Sequence, residues 1–501
     1  MSGKDSMAGD ARPDDNMTGA GGANSGPDNS MTGAGGTGAG AVDARAARQK
    51  RSAERRTELF ERMPVHKAVL MQIMPSVASQ MITLIYNLAD TYFVGRLNDP
   101  AQTAAVTVAY PSFLMLTAIS NLFGVGGASA VSRALGKKRT EQANRISAIA
   151  FWGGLFSGLL YSLIFLLFGR QLLSVCGATE TTFPYAFQYA RWTVVLGGCF
   201  VIMNTLLANL VRSEGSALVA FMGVSFGGVL NIILDPFFVL PQFLNLGAPG
   251  AGEATAISNL AASLFLLGYI VLCRDRSVLR INPGYLKHAK QHLVDILSVG
   301  FPSAVQLGLT VVAVAAQAKF VARYNTEAVA ALGIVKKIDQ LPLYFSTGAA
   351  NGLMPLLAYN FSAGNVRRRR EAFRWGTGIA VGFSCLCLIT FELFAPQICG
   401  LFIREPVTLQ YSAVFLRLMV LTMPIMSVCY PMIIQFQAMG RGREALICSI
   451  FRKGLLDIPF LFILDRIWPL YGCILVQLFV DTVALMIILW FRRKIERAAA
   501  Q

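Results

Sequence analysis

Apolar residues arrive in continuous blocks near 20 long, again and again, from Val69 to Leu489. A spanning helix needs about 20 predominantly apolar residues. Twelve blocks can be placed at 69–94, 102–127, 146–168, 184–210, 217–240, 252–272, 294–321, 329–357, 375–395, 408–434, 445–464 and 468–490. Strands of a membrane barrel alternate at period two over about 10 residues, and these blocks do not alternate. The pattern predicts an all-α integral membrane protein with twelve transmembrane helices.

The blocks repeat. FVGRLN (93–98) matches FVARYN (320–325), and Pro75-Ser76 matches Pro302-Ser303, both at an offset of 227. Phe168 and Phe394, Gln171 and Gln397, Tyr185 and Tyr411, and Arg191 and Arg417 are each 226 apart. Six spans separate equivalent points, and six is even, so the halves share one orientation. Two parallel six-helix repeats are a transporter design, with the binding cavity between them. The expected layout is a tail (1–60), a first lobe (61–272), a basic linker (273–293), a second lobe (294–492) and a short tail (493–501).

Composition agrees: 54% of residues are apolar and 14% charged, against about 25% charge in soluble chains. The net charge of +16 would suit nucleic acid, but its placement argues for a membrane. With the amino terminus inside, 32 basic residues fall in the inner segments, Arg452 and Lys453 counted among them, and five fall outside. That asymmetry is the positive-inside rule, and it puts both termini in the cytoplasm. Residues 1–43 are Gly-rich, with PDDNMTGAGG (13–22) repeated as PDNSMTGAGG (27–36), and are expected to be disordered. A charged amphipathic piece, Val42 to Arg62, is expected to lie along the inner membrane surface. Nine scattered cysteines read as small apolar filler, and His288 and His292 have no accompanying ligand set.

Ionisable residues deep in a span cost at least a few kcal/mol and mark candidate sites. In the first span Thr83, Tyr86, Asn87 and Asp90 share one face, by spacings of three, four and seven. In the fifth, Asn231 and Asp235 lie four apart, and Pro236 perturbs the preceding turn. Asn204 and Thr255 add neutral hydrogen-bonding groups, and Gln306 and Asp339 polar positions in the second half. Lys336 and Lys337 accompany Asp339; Asp457 sits near the repeat position of Asn231; Asp481 has no basic residue on its own helix face. A carboxylate in a wet cavity can hold a proton or a cationic cargo but not both well, which yields antiport by linkage.

These residues carry a resemblance. IYNLADTYFVGRLND (85–99), GVGGASAVSRALGKKR (124–139), LVRSEG (210–215), NIILDP (231–236), NGLMPLLAYNFSAGN (351–365) and QFQAMGRG (435–442), in that order, resemble the multidrug and toxic compound extrusion family and its MepA-like branch. The resemblance spans about 65–490. It implies two six-helix lobes around a V-shaped cavity and export driven by inward proton or sodium flux. It also implies that the first-span aspartate is Asp90, the fifth-span pair Asn231 and Asp235, the fourth-span polar position Asn204 and the sixth-span threonine Thr255. A sodium-coupled branch carries acids in spans seven and ten. Here span seven has Asp295 only at its inner start and span ten has none.

The expected function is therefore a secondary antiporter, in the cell membrane of a prokaryote, exporting amphipathic cations in exchange for protons. Sodium at Asp90 and Asp235 is one alternative, and a flippase for a lipid-linked precursor is another. No HExxH or Walker pattern occurs and no loop is long enough for a catalytic domain, so neither an enzyme nor a self-contained ATP-driven pump is expected. The expected partners are organic cations and membrane lipids, with no nucleic acid and no cofactor, and the expected state is a monomer.

Overall fold

A computed structural model describes residues 36–97 and 99–498. The first 35 residues of the Gly-rich tail and Asn98, the last residue of the FVGRLN motif, lie outside the described residues. The chain divides at Ala47 into two units. The described part of the first is the opening of a helix, Gly36–Thr57, which begins within the stretch, up to residue 43, that was expected to be disordered. The second unit carries the spans.

Among the described residues twelve spans can be traced. Eight are single apolar helices long enough to cross a bilayer: α1 (Val65–Gly95), α2 (Pro100–Gly136), α3 (Thr140–Val175), α5 (Ala217–Val239), α6 (Ala248–Leu272), α7 (Ala289–Val321), α9 (Val366–Gly400) and α12 (Tyr471–Ala498). Two are broken. In α4, Phe183–Leu196 and Gly198–Ser213 meet at 50°, and in α10, Pro406–Val420 and Met423–Ala438 meet at 45°. The last two are α8 (Thr326–Ser362), whose middle carries Lys336, Lys337 and Asp339, and α11, built from Gly442–Ile450, a π-helical turn Phe451–Leu455 and Asp457–Ile467. Helices are forced here because lipid offers backbone amides no partner. On α3, Leu159, Leu163 and Leu167, four residues apart, are all more than half exposed. Such a stripe is at home against acyl chains and not in water.

The repeat is visible in the packing. Helix α1 packs along α8, and α2 along α7, which is the same pairing with the repeats exchanged. Within the first repeat α1 packs on α5, as α7 packs on α11 in the second. The contacts between repeats concentrate toward the end carrying the basic loops. There Gly126 of α2 presses on the Ile296 carbonyl of α7, and Gly352 of α8 presses on α1. A Cβ on Gly352 would sit 2.6 Å from the Gln72 carbonyl oxygen and 2.8 Å from the Ile73 Cα. The two glycines are 226 residues apart, the offset of the repeat. Toward the opposite end, Gly95, Gly308 and Gly333 have nothing within 4 Å of where a Cβ would stand. The repeats meet at the basic end and part at the other.

A segment just before α1 reinforces this closure. Leu59 and Phe60, in a π-helical turn Glu58–Arg62, are buried in protein, not laid on a membrane surface as the amphipathic reading expected. Phe60 stacks on Tyr359 with 4.7 Å between ring centroids. Its carbonyl accepts from Arg368 Nε at 2.6 Å and from Asn360 Nδ2 at 3.2 Å. The same ring lies against Gly215 in the loop between α4 and α5. One short segment therefore touches both repeats.

Candidate functional site

The first repeat gathers its polar residues toward the open end. Tyr86 packs beside Gly228, which brings α1 onto α5 and sets Asp90 near the turn holding Asn231 and Asp235. Asp235 has no solvent exposure and Asn231 almost none. Asn231 Nδ2 donates to Asp235 Oδ1 at 3.4 Å, along one face of α5. Asp90 is within Coulomb range of Asp235, and Tyr189 is within range of both. Across the same interior, Asn204 Nδ2 donates to Asn259 Oδ1 at 2.9 Å, and Asn259 Nδ2 donates to the Thr255 carbonyl at 2.8 Å. Four buried oxygens here, Asp90 Oδ1, Asn204 Oδ1, Asn231 Oδ1 and Asp235 Oδ2, meet no hydrogen-bond donor among the described residues. No basic side chain forms an ion pair with Asp90 or Asp235 among them. Unpaired buried oxygens cost free energy unless a cation or proton satisfies them.

Of the residues singled out in the sequence, Tyr86, Asp90, Asn231 and Asp235 come together. Asn204 and Thr255 are linked to each other through Asn259, Thr255 by its backbone carbonyl. Thr83 hydrogen-bonds back to the Ser79 carbonyl on its own helix at 3.0 Å. Asn87 faces Tyr344 of α8, across the gap between repeats. Gln306 lies apart, accepting from Ser449 at 3.3 Å in the second repeat. Tyr189 and Asn259 were missed. Tyr189 reads as one more aromatic in an apolar block, and the π-helical turn Arg191–Leu196 that follows it carries no periodic signature.

Asp339 belongs to a second cluster. Arg452 and Lys453, counted in the sequence as inner-segment residues, lie instead within α11, Arg452 1% exposed. Arg452 grips the Asp481 carboxylate of α12 with Nε at 2.8 Å and Nη2 at 3.2 Å, and stacks 4.3 Å over the Tyr430 ring. Gln477 Nε2 donates to Asp481 at 2.9 Å, and Lys453 donates to Gln477 at 2.6 Å. Lys336 and Asp339 face Lys453 and Asp457 from α8. The basic partner that Asp481 lacks on its own helix comes from the neighbouring one.

Comparison with known proteins decides what this architecture is. The MatE family model matches the chain twice, at residues 75–237 and 302–463, together more than half its length. The chain belongs to the MATE family. The two matches begin 227 residues apart, the offset of the internal repeat, so the family's unit recurs once in each half. Among curated relatives, the multidrug export protein MepA of Staphylococcus aureus is 30% identical over 418 residues, 83% of this chain and 90% of that protein. MepA of Staphylococcus saprophyticus is 29% identical over 437 residues, 87% of this chain and 95% of that one. A multidrug resistance MATE family transporter of the MOP superfamily, solved outward-facing, superposes with a TM-score of 0.83 at 26% identity, covering 88% of this chain and 98% of that chain. This MATE protein is thus a multi-pass transporter of the multidrug efflux type.

Proposed function

We propose that this protein is an antiporter that exports amphipathic organic cations in exchange for protons, with Asp90 and Asp235 as the exchanging carboxylates. The observation that carries the reading is the pair itself. Asp235 is fully buried, Asp90 is half-buried with one carboxylate oxygen shut off from solvent, the two stand within Coulomb range of each other, and neither has an ion-pair partner among the described residues. Such a pair holds positive charge readily, as a proton or as an organic cation, and the two compete. Asn231 orients Asp235, while Asn204 and Thr255 present neutral oxygens to the same interior. The lobes 61–272 and 294–492 rock about their shared contacts, the linker 273–293 joining them, and the basic end faces the cytoplasm of a prokaryotic cell. The transporter works as a monomer in its lipid bilayer and uses no cofactor.

A second reading has its own support. The unpartnered oxygens of Asp90, Asn204, Asn231 and Asp235 are hard donors of the kind that ligate sodium. One experiment separates the two readings. Ethidium transport is followed in proteoliposomes under an imposed pH gradient and, separately, an imposed sodium gradient, for the intact protein, Asp90→Asn and Asp235→Asn. Proton-driven flux that is lost in either variant supports the proposal. Sodium-driven flux keeps the site and changes the ion. No flux under either gradient, or full flux in both variants, overturns it.

A further inference from the structure

The second repeat holds four charged groups that the antiport reading does not use: Lys336 and Asp339 on α8, and Lys453 and Asp457 on α11. They face one another electrostatically, each lysine toward both carboxylates. Yet among the described residues Lys336, Asp339 and Asp457 make no hydrogen bond and no ion pair through their side chains, and Asp457, 4% exposed, has a buried oxygen that meets no donor. The contrast is with Arg452 and Asp481 beside them, which close on each other at 2.8 Å. A structural ion pair closes in this way, whereas the quartet stays apart.

We infer that Lys336 and Lys453 form a subsite for the anionic group of an amphoteric cargo, one that carries a cation and a carboxylate on the same scaffold. This rests on the reading that Asp90 and Asp235 take the cation. Three observations converge on it. First, Asp339 and Asp457 stand in Coulomb range of the lysines without consuming their donors. They offset the cost of two ammonium groups in a low-dielectric interior and leave the N–H groups free to bind. Second, Lys453 donates one hydrogen to Gln477, so the amide orients it and two donors remain. Third, helix α8 links the two poles. Lys336, Gln340 and Tyr344 recur every four residues on one face, and Tyr344 lies beside Asn87 of the first repeat. Eight residues of helix span about 12 Å, the length of a drug-sized molecule. A cation prefers the first repeat, where two carboxylates have no ion-pair partner among the described residues; an anion finds the Lys336 and Lys453 donors in the second.

The test uses two dyes that differ in one group. Rhodamine 110 carries a free carboxylate, and rhodamine 123 is its methyl ester. Binding of each to the purified full-length protein in detergent is followed by fluorescence anisotropy for the intact chain, Lys336→Gln, Lys453→Gln and Asp457→Asn. The expected result is that each lysine variant weakens rhodamine 110 by about tenfold, the scale of one charged hydrogen bond, and leaves rhodamine 123 within about twofold. Asp457→Asn removes the competing carboxylate and tightens rhodamine 110. It also serves if a lysine variant fails to fold. Equal effects on the two dyes, or none, overturn the subsite. Rhodamine 123 binding without rhodamine 110 overturns the subsite and leaves the cation site standing. Failure of both dyes to bind the intact chain overturns both.

Discussion

Asn231 and Thr255 in the first repeat correspond, 226 residues on, to Asp457 and Asp481 in the second. The first repeat places its carboxylates elsewhere, at Asp90 and Asp235, which form no ion pair among the described residues. The second supplies Arg452, Lys336 and Lys453 beside its acids. A shared fold has thus been filled with opposite electrostatics. Charges neutralised in place hold helices together; charges left without partners are available to ions and cargo. On the proposed reading the two similar repeats divide labour, with exchange in the first and anchoring and cargo charge in the second.

The comparison can be broken most forcefully at Arg452. Truncating one member of a buried ion pair strands the other, at a cost of about 3–5 kcal/mol. Arg452→Met is therefore expected to lower the thermal midpoint in detergent sharply. The joint replacement Arg452→Met with Asp481→Leu restores most of it. Asp235→Asn, which removes a carboxylate with no ion-pair partner among the described residues, leaves the midpoint unchanged or raises it. A loss in Asp235→Asn as large as in Arg452→Met would erase the distinction between the repeats.

A smaller effect is expected where the repeats are alike. Gly126→Ala and Gly352→Ala each force a methyl group into the opposing backbone, an overpacking worth about 1–3 kcal/mol. Both destabilise the basic-end closure, so cysteines introduced near it gain reactivity toward thiol reagents. Because the glycines are repeat-related, the two variants behave alike. A large response in one and none in the other would argue against a symmetric closure.

The smallest effect is a titration. The first repeat has Glu214 in its basic-end loop, where the second has Gly440. Burial pushes the Glu214 carboxyl above the ordinary range, opposed by the Val278 N–H, Arg56, and the Ser277 and Tyr269 hydroxyls. The folded state thus holds this proton more tightly than the unfolded state. The stability it contributes is full below the ordinary glutamate pKa and is lost as pH rises through the folded value. Glu214→Gln should therefore gain on the intact protein in thermal midpoint between pH 5 and pH 8. A constant difference would contradict the burial account.

Much of this was legible in the sequence, because lipid writes its demands plainly. Continuous apolar blocks mark the spans, and an acid within a block is costly enough to stand out. Asp90, Asn231 and Asp235 emerged as candidates from helix phase and the cost of burying polar groups. What escaped was the work of irregular turns and neighbouring helices. Arg452 sits in a π-helical turn, where the 3.6-residue period no longer tells which way a side chain points, so it read as one of a row of loop arginines. Its partner Asp481 lies on another helix and shares no spacing with it. Tyr189 and Asn259 carry no charge, and only packing between spans brings Tyr189 near the two carboxylates and Asn259 to Asn204. Leu59 and Phe60 looked like the apolar face of a surface helix. Only the approach of Tyr359, some 300 residues away in sequence, gives them a protein pocket.

The central claim is that proton and cargo compete for the Asp90–Asp235 pair. The most direct measurement is proton release on ethidium binding to the purified protein in weakly buffered detergent, read with a pH-sensitive dye. The intact protein should release protons as ethidium binds, and Asp90→Asn and Asp235→Asn should release fewer or none. Lys336→Gln should release as many as the intact chain. Ethidium binding that releases no protons from the intact protein, or undiminished release from Asp235→Asn, would contradict the account.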